Sequence, residues 1–308
     1  MGKLFDLINT YLFAPVLNFF MDLTGGSYAW AIFLFTLAIN IVLIPLSVKS
    51  QKASISQLKI KPKLDELKKK YGDDKKKYNE AMQKLYQEGN VSMGGGCLPM
   101  IIRLLLVMSV FYLVTKPLTY LTDLDADTIS NAVEAFKALG AEKRTSYDQL
   151  GIIKEAVSGN ETFAAIKTAI KEIDFDFLGL DLTAKPQFSL NFSKLSGAQL
   201  KLWIIPFLSF ATAMFSSVLS MIQQKHTNPD APNMAGMMLT MPIMSLVISF
   251  NAPAGLGFYW ACSSLIGAFI NIFVQECFGP RKAIANEQAK LIVKKAAEEK
   301  KFSDSKTV

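Results

Sequence analysis

Five apolar runs, Tyr28 to Val48, Leu98 to Thr115, Leu202 to Ile222, Met234 to Phe250 and Gly255 to Val274, each hold 17 to 21 residues. A helix needs about 20 residues to cross the hydrocarbon core of a bilayer. No water is available there to bond N–H and C=O groups, so each run must close its hydrogen bonds within itself as a helix. The pattern predicts an all-α polytopic membrane protein with five transmembrane helices. The 51% apolar composition understates this, because the polar residues are concentrated between and after the runs.

The charge is equally uneven. Residues 49–97 hold twelve lysines against six acids, a net of +6, and residues 278–308 hold eight basic residues against four acids, a net of +4. Residues 121–200 run the other way, with eight basic residues against twelve acids, a net of −4. Basic loops stay in the cytoplasm. With residues 49–97 inside, five spans place the N-terminus outside, residues 121–200 outside, and both residues 223–233 and the C-terminus inside. The expected division is an N-terminal interfacial helix (1–27), spans at 28–48, 98–120, 201–222, 234–250 and 255–276, a cytoplasmic helical hairpin (49–97), an extracytoplasmic insertion (121–200) and a basic tail (277–308).

Arg103 lies six residues into the otherwise uncharged second run. Inserting an arginine at that depth costs about 2.5 to 3.5 kcal/mol. A carboxylate in a neighbouring span would offset this, and the other four runs contain no Asp or Glu. The cation is left with water, backbone carbonyls, a lipid headgroup or a visiting ligand, which points to a hydrated intramembrane cavity. A single His226 and three cysteines, all in or beside spans, suggest neither a metal site nor a disulfide framework.

Residues 4–20 place Leu4, Ile8, Tyr11, Leu12, Val16, Phe19 and Phe20 on one helical face, as in an interfacial amphipathic helix. A cleaved signal peptide is the rival, although Pro15 and Asn18 interrupt the stretch and no A-x-A site follows. In the hairpin, Ile60, Leu64, Leu67 and Tyr71 form one stripe and Tyr78, Met82 and Leu85 another, divided by Gly72-Asp73-Asp74. Its lysines suit anionic headgroups, or a solvated helix pair without a partner. Residues 128–139 and 146–172 read as helical and Asp174 to Phe192 as extended; a passive insertion is the plain reading of this segment. Met237, Met241 and Met244 belong to a methionine cluster in the fourth run, suited to substrate contact or to ordinary packing. Tyr259-Trp260 reads as an outer belt pair.

Several motifs resemble the YidC/Oxa/Alb membrane protein insertases in order and spacing. They are Leu43-Ile44-Pro45-Leu46-Ser47-Val48-Lys49, Lys61-Pro62-Lys63-Leu64-Asp65-Glu66-Leu67, Tyr71-Gly72-Asp73-Asp74 and Gly95-Gly96-Cys97-Leu98-Pro99. A second block comprises Phe177-Leu178-Gly179-Leu180-Asp181-Leu182, Met241-Pro242-Ile243-Met244 and Pro253-Ala254-Gly255-Leu256 with Tyr259-Trp260. The likeness covers residues 1–122 and 173–280. It implies a five-helix core around a hydrophilic groove, open to the cytoplasm and to lipid but closed toward the outside. It also implies a bacterial plasma-membrane location, no enzymatic step and no cofactor. The implied partners are nascent membrane proteins, inserted alone or beside the Sec translocon. The charge of the basic tail suits a contact with ribosome or membrane, or a merely solvated helix. Anionic lipids suit the lysines, and nothing suggests a specific DNA.

Bacterial members of that family typically carry the groove arginine in the first span, in a stretch like Thr36 to Pro45, where this chain has Asn40. They usually show glutamine where Arg103 stands. Asn40 and Arg103 lie about 12 and 8 Å from the cytoplasmic ends of their runs at 1.5 Å per residue, so both suit one cavity. Arg103, Asn40, Tyr259 and Gln223 form the expected groove set, and Lys61, Pro62, Tyr71 and Asp73 mark the hairpin. The alternative from another class is a small-anion secondary transporter or channel using Arg103, although no internal repeat supports it.

Overall fold

A computed structural model describes residues 2–71, 74–89, 97–139, 147–189, 191, 196–227 and 235–279. Within these the chain is mostly helical and divides into two compact units. The first comprises residues 1–42, 103–221 and 232–268; the second comprises residues 43–102, 222–231 and 269–308.

The first unit opens with α1 (Gly2–Ile8), a π-turn over Asn9–Phe13, and α2 (Ala14–Leu23). One face, with Phe5, Asn9, Phe13, Leu17 and Met21, is buried in the unit. Tyr11, Leu12 and Phe19 point away from it. The segment is thus apolar on two sides. Gly25 and Gly26 end α2 at positive φ, with the Gly26 N–H donating to the Met21 carbonyl at 2.8 Å. That conformation is steric strain for any residue with a Cβ.

The turn leads into α3 (Tyr28–Val42), which lies back along α2 with the Phe13 and Phe35 rings edge to face at 5.7 Å. The helix stops at Val42 because Pro45 has no N–H to donate and its ring crowds the carbonyl four residues back. A new helix, α4 (Ile44–Tyr71), starts at once with Pro45 in its first turn, where proline is tolerated. The expected limit between span and hairpin near residue 48 is therefore not a break in the backbone. Pro45 interrupts the first apolar run, and α4 continues through the lysine-rich sequence. In the second unit α4 packs against α5 (Lys75–Glu88), with Ile55, Ile60 and Leu85 buried. The Asp74 side chain caps α5 by accepting from the Lys77 N–H at 3.1 Å.

In chain order, α6 (Cys97–Thr115) and the short α7 (Pro117–Tyr120) precede an insertion of α8 (Ala126–Ala138), α9 (Asp148–Val157), a 3₁₀ turn at Glu161–Phe163, and α10 (Ala164–Ala169). The insertion has its own core, centred on Ile129, Phe136, Ile152, Ile153, Phe163 and Ile166. The Gln149 side chain bonds the Thr119 N–H and hydroxyl, joining that core to α7.

A short antiparallel hairpin follows, β1 (Asp176–Phe177) with β2 (Leu180–Asp181), paired Asp176 to Asp181 and Phe177 to Leu180. Both turn residues, Leu178 and Gly179, have positive φ. Leucine in that conformation costs about 1–2 kcal/mol. The strap containing this hairpin holds one end of the unit. The Tyr28 N–H donates to the Asp174 carbonyl, and the Ala254 and Gly255 N–H groups donate to the Ala184 and Leu182 carbonyls at 2.8 and 2.7 Å. Helix starts have orphan donors, and the strap supplies their acceptors.

The remaining helices are α11 (Gly197–Leu202), α12 (Ile204–Thr227), α13 (Ala235–Asn251) and α14 (Ala254–Phe278). Among the described residues, Gly197–Gln223 and Ala254–Phe278 are long and apolar enough to cross a membrane, and Tyr28–Val42 with Ile44–Ala53, bent by 45° at the break, passes the same test as a pair, as a broken span or a re-entrant loop. Leu105–Thr115 and Met238–Asn251 are shorter apolar helices.

Candidate functional site

The candidate polar residues fall on four helices. In the second unit, the Asn271 side chain on α14 donates to the Gln223 side-chain carbonyl on α12 at 2.9 Å. An amide pair between two apolar helices holds them together and keeps a neutral donor and acceptor set beside hydrocarbon. Sequence reasoning singled out Gln223 and missed Asn271. The signal for it is an amide alone within the apolar run Gly255 to Val274.

Asn40 lies on α3 in the first unit, partly exposed, and its side chain donates to the Thr36 carbonyl one turn back at 2.8 Å. That bond satisfies polarity within one helix, so the residue needs no interhelical partner to sit in an apolar run. Arg103 is the seventh residue of α6. The side chains of Arg103, Met237, Lys61 and Pro62 lie outside the described residues, as does Asp73 entirely. Met241 and Met244 are 68% and 49% exposed on one side of α13, beside exposed Ile243 and Val247. Tyr71 ends α4 with the Lys70 ammonium 5.2 Å from its ring centroid.

Tyr259 is 6% exposed and packs in the apolar core of the first unit. The sequence put Tyr259 in the groove set and, with Trp260, in an outer belt pair; its side chain is enclosed, while Trp260 is partly exposed. Every residue from Ala252 to Tyr259 is buried, with the strap bonded to Ala254 and Gly255 and with Ile205 and Ser249 of α12 and α13 closing on Gly257.

The first unit's helices are joined by small residues. Ser209 on α12 and Ser245 on α13 share a buried hydrogen bond. Gly257 on α14 packs so closely that an added Cβ would stand 2.9 Å from Ile205 Cγ2 and 3.2 Å from Ser249 Oγ. In a bilayer, where burial from water does not drive helix association, such close approach and interhelical bonding do.

Comparison with known proteins places the chain. The family described as 60Kd inner membrane protein matches residues 19–281. Membrane protein insertase YidC of Fusobacterium nucleatum is 25% identical over 277 residues, covering 90% of this chain and 98% of that protein. Membrane protein insertase YidC of Clostridium perfringens is 26% identical over 288 residues, 91% of this chain and 94% of its own length. Membrane protein insertase YidC 2 of Listeria innocua is 23% identical over 291 residues, 92% and 77%. These relatives do not favour the anion-transporter alternative. An apolar helical chain with an amide pair between its helices, matched over nearly its whole length, belongs to the 60Kd inner membrane protein family.

Proposed function

We propose that the chain inserts nascent integral membrane proteins into the bacterial plasma membrane and assists their folding. The observation that carries this is the full-length agreement with YidC insertases, 98% of the Fusobacterium nucleatum protein being covered. The finer reading has five spans, with the N-terminus outside and the C-terminus inside. A hydrophilic groove opens to the cytoplasm and to lipid. It is supported by the charge asymmetry of the loops and by two polar elements in apolar helices, Arg103 and the Gln223–Asn271 pair.

A polar segment of the substrate enters the groove from the cytoplasm while its apolar stretch partitions into lipid. Crossing is costly because polar groups lose water. A wet cavity part-way across shortens the dry path, and Arg103 attracts the Asp or Glu of the crossing tail. Substrate partitioning supplies the driving energy. The membrane potential adds about 2.3 kcal/mol per acidic charge per 100 mV in a cell negative inside. Met241 and Met244 present adaptable apolar surface to the departing stretch. The lysine-rich α4 and α5 contact anionic headgroups, and the tail from Arg281 meets ribosome or membrane. Cooperation with the Sec translocon belongs to the same reading.

The test is insertion of a reporter with variable tail charge into vesicles containing the purified protein. Arg103→Gln is expected to slow acidic tails about tenfold and spare neutral ones. Tenfold is ~1.4 kcal/mol, well within the ~4 kcal/mol attraction of two charges 4 Å apart at an effective dielectric near 20. Adding Asn40→Arg is expected to restore much of the loss. Equal insertion of acidic and neutral tails by Arg103→Gln would remove the groove cation from the mechanism.

A further inference from the structure

Leu178 is the one non-glycine residue with positive φ among the described residues, and its side chain is 87% exposed. A two-residue hairpin with both central residues left-handed favours Asn-Gly, which relieves strain and welcomes water. This turn instead presents a leucine outward, at a steric cost. We propose that the tip of the β1–β2 hairpin is a membrane anchor, with Leu178 entering the boundary between headgroups and acyl chains at the extracytoplasmic face. The proposal rests on the membrane-spanning reading of the helices.

Two observations set the tip at that level. First, the strap is bonded to the starts of α3 and α14, which fixes the hairpin beside the ends of two apolar helices. Second, aromatic side chains surround the same end. Phe177, next to Leu178, lies 5.0 Å from the Phe258 ring and 6.2 Å from the Trp30 ring. Trp30 is 54% exposed in the first turn of α3. On the same strap Phe188 stacks on Trp203 at 5.7 Å, and the Trp203 indole N–H donates to the Gln187 carbonyl. Tryptophan with one apolar and one hydrogen-bonded edge is characteristic of the membrane–water interface. Leu178 continues that surface.

The chemistry of the contact is apolar. Asp174, Asp176 and Asp181 flank the tip, and each carboxylate accepts a backbone N–H within the strap, from Asp176, Gly179 and Thr183 respectively. Those carboxylates are engaged in shaping the turn and offer nothing to an anionic headgroup, so the contact is expected to form in neutral lipid and to gain nothing from anionic lipid.

The experiment uses the full chain with Cys97, Cys262 and Cys277 replaced by serine, carrying Leu178→Cys labelled with an environment-sensitive fluorophore. The protein is placed in phosphatidylcholine vesicles with or without phosphatidylglycerol. Nitroxide near the headgroup is expected to quench the probe more than nitroxide deep in the acyl chain, with little quenching by aqueous iodide in either lipid. A parallel probe at Ala211→Cys, exposed midway along the span on α12, is expected to respond to the deep nitroxide. If position 211 responds and position 178 is open to iodide, the anchor is wrong. If neither responds to any nitroxide, the spanning reading falls and the anchor with it.

Discussion

A methyl group at Gly257 would need room that α12 and α13 occupy, Ile205 Cγ2 standing 2.9 Å away and Ser249 Oγ 3.2 Å. Overpacking of this kind costs about 1–3 kcal/mol. Gly257→Val is therefore expected to lower the midpoint of thermal unfolding in detergent, with Gly257→Ala less severe. Gly197→Ala, where nothing lies within 4 Å, is expected to melt unchanged. None of this contrast was legible in the sequence, because spacing does not say which glycine of an apolar run faces a neighbour. Arg103 is the opposite case: a charge in an uncharged run declares itself without any structure. Asn271 stands between them, visible in the sequence but weaker as a signal, since an amide costs less than a cation in lipid.

The helical hairpin was legible because its signals are local. Gly72-Asp73-Asp74 divides two apolar stripes in a lysine-rich segment, and Asp74 caps the helix that follows. The π-turn at Asn9–Phe13 was not legible. Periodicity also fails for a helix that is apolar on two sides. Among the described side chains of α4 and α5 only Ile55, Ile60 and Leu85 are buried, so hydrogen exchange in α4 beyond Lys52 and in α5 is expected to be fast relative to α12 and α14. Protection equal to that of the spans would instead indicate firm docking. Acid should loosen the hairpin further. The Lys77 N–H and ammonium hold the Asp74 carboxyl below its ordinary value. Its contribution is therefore complete above the unfolded-state pKa and lost as pH falls through the lower folded one. The exchange rate of the Lys77 amide, corrected for its intrinsic pH dependence, should rise across that acid window. Asp74→Asn, which still caps but does not titrate, should flatten the response.

The orientation of the entire chain in the membrane was read from charge alone, and it carries a direct check. An impermeant maleimide added to intact cells is expected to label Ser189→Cys on the strap and to spare Lys76→Cys on α5 until the membrane is opened. The reverse pattern would invert the topology and the proposed direction of insertion. The apolar runs and loop charges were enough to foresee a helical membrane protein. They were silent on how the strap closes one end of the first unit, because that closure runs through backbone atoms. The donors at the start of α14 are held by the Ala184 and Leu182 carbonyls, and every residue type has a carbonyl. A randomised library over residues 183–186 should consequently retain many functional sequences. Gly26 should admit almost none, since any Cβ there would meet the Glu172 carbonyl oxygen, a backbone atom that cannot rotate away. Tolerance to mutation at this end of the molecule should thus follow the path of the main chain, with a few intolerant glycines set in a permissive strap.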